Sequence, residues 1–143
     1  MTRKFIIATA IAAVMGASAP AMAGNVFIEQ YGFGNGAGGE QIGFGNTIGV
    51  YQDGVWNNAI SKQYGNGNTA ATGQTGFNNH SNTWQNGHGN AAGVAQFGDN
   101  HTSILTQDGN GNIAAGVQVG NGCSANVTQG GSGNVAAFVQ ACP

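Results

Sequence analysis

Few side chains in this 143-residue sequence could do chemistry. Beyond residue 23 they are five carboxylates (Glu29, Glu40, Asp53, Asp99, Asp108), three histidines (His80, His88, His101) and two cysteines (Cys123, Cys142). Acid–base hydrolysis needs two carboxylates a few ångströms apart. The strand repeat set out below sends Glu29 and Glu40 outward from opposite sheets and puts Asp99 and Asp108 in turns at opposite edges. No arginine follows Arg3, so an anionic substrate lacks its usual partner. The histidines suggest no Ser-His-Asp arrangement. Metal ligands on stacked strands should lie 22 residues apart; His101 and Cys123 do, but a zinc site would still lack two ligands. Gly34-Asn35-Gly36-Ala37-Gly38-Gly39 fits G-x-G-x-x-G, yet a dinucleotide fingerprint needs a helix after it and an acidic partner later. The expectation is a chain with no catalytic residue, no cofactor, no metal and no small-molecule substrate: not an enzyme.

The elements that would position a site are equally unusual. Met1-Thr2-Arg3-Lys4, an apolar run from Phe5 to Val14 and an Ala21-Met22-Ala23 cleavage site have the order of a secretory signal peptide. Residues 1–23 are therefore assigned to the signal and 24–143 to the mature, secreted domain. In that domain Lys62 is the only Lys or Arg against five carboxylates, a side-chain charge of −4. No basic patch for nucleic acid can be built from it. Leu105 is the only leucine of the mature domain. Ordering this chain costs on the order of 150 kcal/mol, which so small an aliphatic core cannot offset. Something regular must supply the difference.

That regularity is a repeat of 11. Glutamine occurs at Gln30, Gln41, Gln52, Gln63, Gln74, Gln85, Gln96, Gln107, Gln118, Gln129 and Gln140, and nowhere off this register. Two residues later comes glycine, at Gly32, Gly43, Gly54, Gly65, Gly76, Gly87, Gly98, Gly109, Gly120 and Gly131. Asparagine opens most units, at Asn35, Asn46, Asn57, Asn68, Asn79, Asn90, Asn112 and Asn134, with His101 and Cys123 in its place twice. Seven residues from Asn to Gln make a strand, and Gln-x-Gly-x-Gly-Asn is turn chemistry because glycine accepts positive φ. The turns alternate with a period of 22. The prediction is an all-β solenoid of about five 22-residue strand-turn-strand-turn rungs, stacked at about 4.8 Å.

Alternation along each strand puts the residues six, four and two before Gln, and Gln itself, on one face. That face is apolar but small-chained, as in Ile48 and Val50 or Ala92 and Val94, and is read as interior. Buried amides are costly unless paired. Stacking each Asn and each Gln over its equivalent 22 residues on would join side-chain amides into ladders. Phe33, Val55 and Phe77 should stack along one edge. Cys123, at the start of the tenth strand, comes opposite residue 140 when the chain returns, which puts Cys142 within reach of an intramolecular disulfide in an oxidising compartment.

The pattern Asn-x5-Gln-x-Gly-x-Gly-Asn-x-Ala-x3-Gln resembles the curlin repeat. Good instances run from Gln63 through Gly65, Gly67, Asn68 and Ala70 to Gln74, and from Gln107 through Gly109, Gly111, Asn112 and Ala114 to Gln118. The likeness covers residues 24–140. It implies a subunit of extracellular curli-type functional amyloid on the bacterial surface, exported via the periplasm and built into fibres for biofilm matrix and adhesion. It also implies partners: further copies of the same chain, a nucleator subunit and an outer-membrane export pore. The low Lys and Arg content is more like the major subunit than the nucleator. In two respects the chain departs from the family: the cysteine pair, and repeats that begin directly at Asn25-Val26-Phe27-Ile28-Glu29-Gln30. The second leaves open an export signal within the repeats or a different role. Two alternatives stand beside the fibre subunit: an accessory or nucleator curlin, and a monomeric surface- or carbohydrate-binding solenoid.

Overall fold

Each 11-residue unit forms one extended strand, because alternating small apolar and polar residues suit a half-buried pleated surface and glycine ends each run. The computed structural model describes residues 24–143, so the signal-peptide assignment lies outside the described residues. Eleven strands follow one another: β1 (Asn25–Phe33), β2 (Gly36–Ile42), β3 (Thr47–Val55), β4 (Asn58–Asn66), β5 (Thr69–Phe77), β6 (His80–His88), β7 (Ala91–Asp99), β8 (Thr102–Asn110), β9 (Ile113–Asn121), β10 (Ser124–Ser132) and β11 (Val135–Cys142). Odd strands make a six-stranded sheet in the order β1-β3-β5-β7-β9-β11, even strands a five-stranded sheet in the order β10-β8-β6-β4-β2. All pairing is parallel, each residue against the one 22 positions on, as in Gln52 with Gln74 and Gln63 with Gln85. The molecule is a parallel β-solenoid of about five turns.

The turns explain the two glycines of the repeat. Gly65 has φ 112° and Gly67 φ 67°. At Gly65 a Cβ would lie 1.9 Å from the carbonyl oxygen of Gly87 on the next rung, while nothing stands near a Cβ at Gly67. The first glycine is thus needed for space and for φ, the second for φ alone. Where the second is replaced, Trp56, Asn78 and Asn100 hold φ between 55° and 58°, the small left-handed region open to side chains. Asp99 and Asp108, expected in turns, lie within β7 and β8, because the strands run on up to three residues past glutamine.

Between the sheets lie two apolar clusters, one of Ile48, Val50, Ala59 and Ala70, the other of Ala92, Val94, Leu105 and Ala114. Hydroxyls separate them: Thr72 Oγ1 meets Ser81 Oγ at 3.3 Å. The buried hydroxyls of Ser61, Thr83 and Ser103 have no hydrogen-bond partner. So slight a core leaves much of the cohesion to the amides.

Candidate functional site

Glutamine is the one long polar side chain on the inward face, and it reaches the middle of the rung. Gln74 illustrates its bonding. Its Nε2 donates to Gln96 Oε1 at 2.7 Å, the next strand of its own sheet, and to the Asn58 carbonyl at 3.0 Å, on the opposite sheet. Its Oε1 accepts from Gln52 at 2.8 Å. The same side chain is a rung of an axial ladder and a strut across the section. One ladder joins Gln30, Gln52, Gln74, Gln96, Gln118 and Gln140. The other joins Gln41, Gln63, Gln85, Gln107 and Gln129. Gln52 to Gln118 are fully buried.

Asparagine does something else, and this corrects the expected amide-to-amide stacking. Asn57 Nδ2 donates to the Gly76 carbonyl at 2.9 Å, and its Oδ1 accepts the Asn79 main-chain N–H at 3.0 Å. Asn35, Asn46, Asn68, Asn79, Asn90 and Asn112 repeat the first contact onto Gly54, Gly65, Gly87, Gly98, Gly109 and Gly131. The reason is length. One methylene shorter than glutamine, and placed beside the turn, asparagine meets the next turn's backbone before it can meet the next amide. The positive-φ glycines present their carbonyls to it. Of these unit-opening residues only Asn134, on the last described rung, turns its Nδ2 back onto Asn112 Oδ1, at 3.0 Å, and onto the Gly130 carbonyl, at 2.8 Å.

The two substituted positions adapt this clamp. His101 Nδ1 accepts the Cys123 N–H at 3.1 Å, and Nε2, carrying the proton, donates to the Phe97 carbonyl at 3.1 Å. Cys123 is bonded to Cys142, with Cα atoms 5.6 Å apart. Both ring nitrogens of His101 and the sulfur of Cys123 are therefore committed. His88 serves an outer lacing that the Asn and Gln registers do not disclose: its Nδ1 accepts the Asn66 main-chain N–H at 3.2 Å, and its main-chain N–H donates to Asn110 Oδ1 at 3.0 Å. Asn66 and Asn110, 44 residues apart in one row, were its signal in the sequence. His80 stands on the outer face between Asn58 and Thr102.

Charge is confined to isolated groups. Lys62 Nζ lies 3.5 Å from Glu40, both about half exposed, a pair of little energetic weight. Tyr64 donates to Glu40 at 2.9 Å, and that bond holds its phenol above the ordinary range. Phe33, Val55 and Phe77 stand in register, and Phe33 meets Trp56 edge-on at 5.6 Å.

The ladders have a direction. Every link runs from the amide N–H of one glutamine to the amide oxygen 22 residues later. At the N-terminal edge Gln41 Oε1 is buried and unpartnered. At the C-terminal edge Gln129 and Gln140 each spend one Nε2 proton on a carbonyl, of Ile113 and Ser124, and keep the other. One end of the molecule presents acceptors and the other donors.

Three copies of the curlin-associated repeat match residues 25–54, 45–76 and 78–109. The chain belongs to the curlin family. No individual curated protein matches it. In this curlin the matched repeats end before Cys123, which immediately precedes β10, so the disulfide lies beyond the matched part. A shallow trough of about 670 Å³, floored by Gly49, Ala71, Gly93 and Ala115, runs along the outer face of its six-stranded sheet. Among the described residues no helix is long and apolar enough to cross a membrane.

Proposed function

We propose that this curli-type subunit polymerises end to end into extracellular fibres. The observation that carries the reading is the polarity of the glutamine ladders: Gln41 Oε1 buried without a donor at one end, Gln129 and Gln140 with protons to give at the other. The ends complement each other, and each is also a row of open strand edges that recruits further chains. Val26, Ile28 and Phe27 of β1 are 42–63% exposed, an apolar strand that a following copy would cover. As a fibre subunit the protein would act by its mass and surface, in matrix and adhesion, with no reaction to catalyse. A nucleator of the same fold and an outer-membrane pore are the partners this role needs. The few charges favour the bulk subunit, which must stack on identical copies without repulsion.

The test is growth of the oxidised mature chain at micromolar concentration, followed by thioflavin fluorescence, electron microscopy and fibre diffraction. Fibres with an axial reflection near about 4.8 Å are expected. A chain that remains monomeric for days, with and without preformed seeds, overturns the reading.

A further inference from the structure

The described coil holds an odd number of strands, so its sheets are unequal. β11 closes the six-stranded sheet one layer beyond β10, the last strand of the other. A second copy seated there in the same orientation would lay its β1 on β11. Its β2 would then stand about 9.6 Å from β10, where hydrogen-bonded strands stand about 4.8 Å apart. A strand-wide slot would break the five-stranded sheet at every junction, with unpaired backbone groups on both walls.

Turning the incoming copy by half a turn about the long axis removes the slot. The two sheets of a rung run in opposite directions, so the rotation carries β1 onto the five-stranded side, parallel to β10. It enters the vacant layer, and β2 then lies on β11. Building on the end-to-end reading above, we propose that successive subunits are related by a half-turn screw, each sheet of the fibre being made alternately of odd and even strands.

Two further features favour this junction. Glutamine remains in phase, because the repeat is 11 on both sides. Gln129 would donate to Gln30 of the next copy, and Gln140 to its Gln41, whose buried oxygen has no partner within the monomer. In the unrotated junction Gln129 would face the slot. The second feature is size. The Phe138 ring lies over Gly116, where a Cβ would come within 2.0 Å of it. Both Gly39 and Ile28 stand two residues before a glutamine. The half-turn brings Gly39 of the next copy onto Phe138, and the ring is bracketed by two glycines. The unrotated junction brings Ile28 there, a branched side chain on an aromatic ring that already fills its row.

The two junctions predict different neighbours. With the half-turn, Glu29 of the next copy lies beside Thr128 of the preceding one; without it, beside Val139. All three side chains face outward, and parallel neighbours are close enough for a disulfide. Two double variants, Glu29→Cys with Thr128→Cys and Glu29→Cys with Val139→Cys, are folded with the native disulfide closed, assembled and mildly oxidised. A ladder of covalent oligomers from the Thr128 pair, absent from the Val139 pair, is the expected result. The reverse pattern overturns the half-turn while leaving end-to-end growth standing. Monomers in both overturn the two proposals together. Cryo-electron microscopy of the unaltered protein gives a second readout. An advance of about 26 Å per subunit with rotation near 180° is expected, and about 29 Å with none refutes the half-turn.

Discussion

His101 Nδ1 accepts the main-chain N–H of Cys123 across 3.1 Å, the task that asparagine Oδ1 performs on the neighbouring rungs. Histidine is thus tolerated as an acceptor one layer away, with both ring nitrogens hydrogen-bonded. His101→Asn restores the common clamp and is expected to change monomer stability by less than about 1 kcal/mol. His101→Leu leaves the buried Cys123 N–H without its acceptor and removes the bond to the Phe97 carbonyl, and should cost about 1–3 kcal/mol. Urea denaturation of fresh monomer measures both. Equal losses for the two variants would show that ring volume, not hydrogen bonding, matters there.

Position along the ladder should separate stability from growth. Gln85 exchanges bonds with Gln63, Gln107 and the Thr69 carbonyl. Gln85→Ala breaks all three bonds and opens a cavity, for about 3–5 kcal/mol. Gln140 is only half enclosed in the monomer, so Gln140→Ala should cost about 1 kcal/mol. For seeded elongation the ranking reverses: Gln140→Ala and Gln30→Ala slow growth more than Gln85→Ala, at matched concentrations of folded monomer. Identical elongation rates for the three would refute the end-ladder argument.

Gly65 and Gly67, two residues apart, should respond differently. Gly65→Ala sets a Cβ 1.9 Å from the Gly87 oxygen at a φ of 112°, and is expected to cost more than about 3 kcal/mol. Gly67→Asn enters open space at a φ that Asn78 and Asn100 already adopt. Its cost should stay below about 1 kcal/mol. Thermal melts decide, and a larger loss at Gly67 would contradict the assignment of roles.

The fold was legible because the strand period of 2 and the unit length of 11 act on the same residues. Once Gln fell every eleventh place, Ile48 and Val50 had to face inward with Gln52, and Glu29 and Lys62 outward. The division of labour between the amides was not legible. Asn57 and Gln63 offer the same functional group, and only the reach of the side chain and the carbonyl direction of a positive-φ glycine separate a clamp on the turn from a ladder in the core. Ladder polarity was hidden too, since an amide written as a letter has no orientation. The orphan hydroxyls of Ser61 and Ser103 read in the sequence as ordinary small inward residues; their lack of partners depends on the sheet spacing.

Those hydroxyls make a prediction of unusual sign. Ser103 is fully buried in register between Ser81 and Ala125, and its hydroxyl has no partner. Ser103→Ala deletes a desolvated hydroxyl without breaking a bond, and should raise stability by about 1 kcal/mol. Thr72→Val, which takes away the partner of Ser81, should lower it. A loss at Ser103 would mean that the hydroxyl has a partner in solution.

The disulfide should act locally on the end that receives the next subunit. β11 is paired along one edge only, with β9, and its inward residues are half enclosed. Such an end strand frays readily. Cys142 sits two residues after Gln140, where the other strands have a positive-φ glycine, and the bond ties it to the first residue of the β10 unit, 19 positions earlier. A closed loop of that length contributes about 3 kcal/mol in the chain-entropy account. Reduction should therefore raise amide exchange in β11 by about 100-fold, with little change in β5 to β7, whose strands are paired on both sides. Fibre growth should slow in parallel, since the incoming strands need β11 in place as their template. Cys142→Ser should reproduce the reduced state without reductant. Peptide mapping of non-reduced monomer must find residues 123 and 142 linked within one chain; a bridge between chains would move the staple to the junction. Uniform acceleration along the whole coil would mean that the bond acts on the unfolded chain. Unchanged exchange in β11 would mean that the ladder through Gln118 and Gln140 holds that strand by itself.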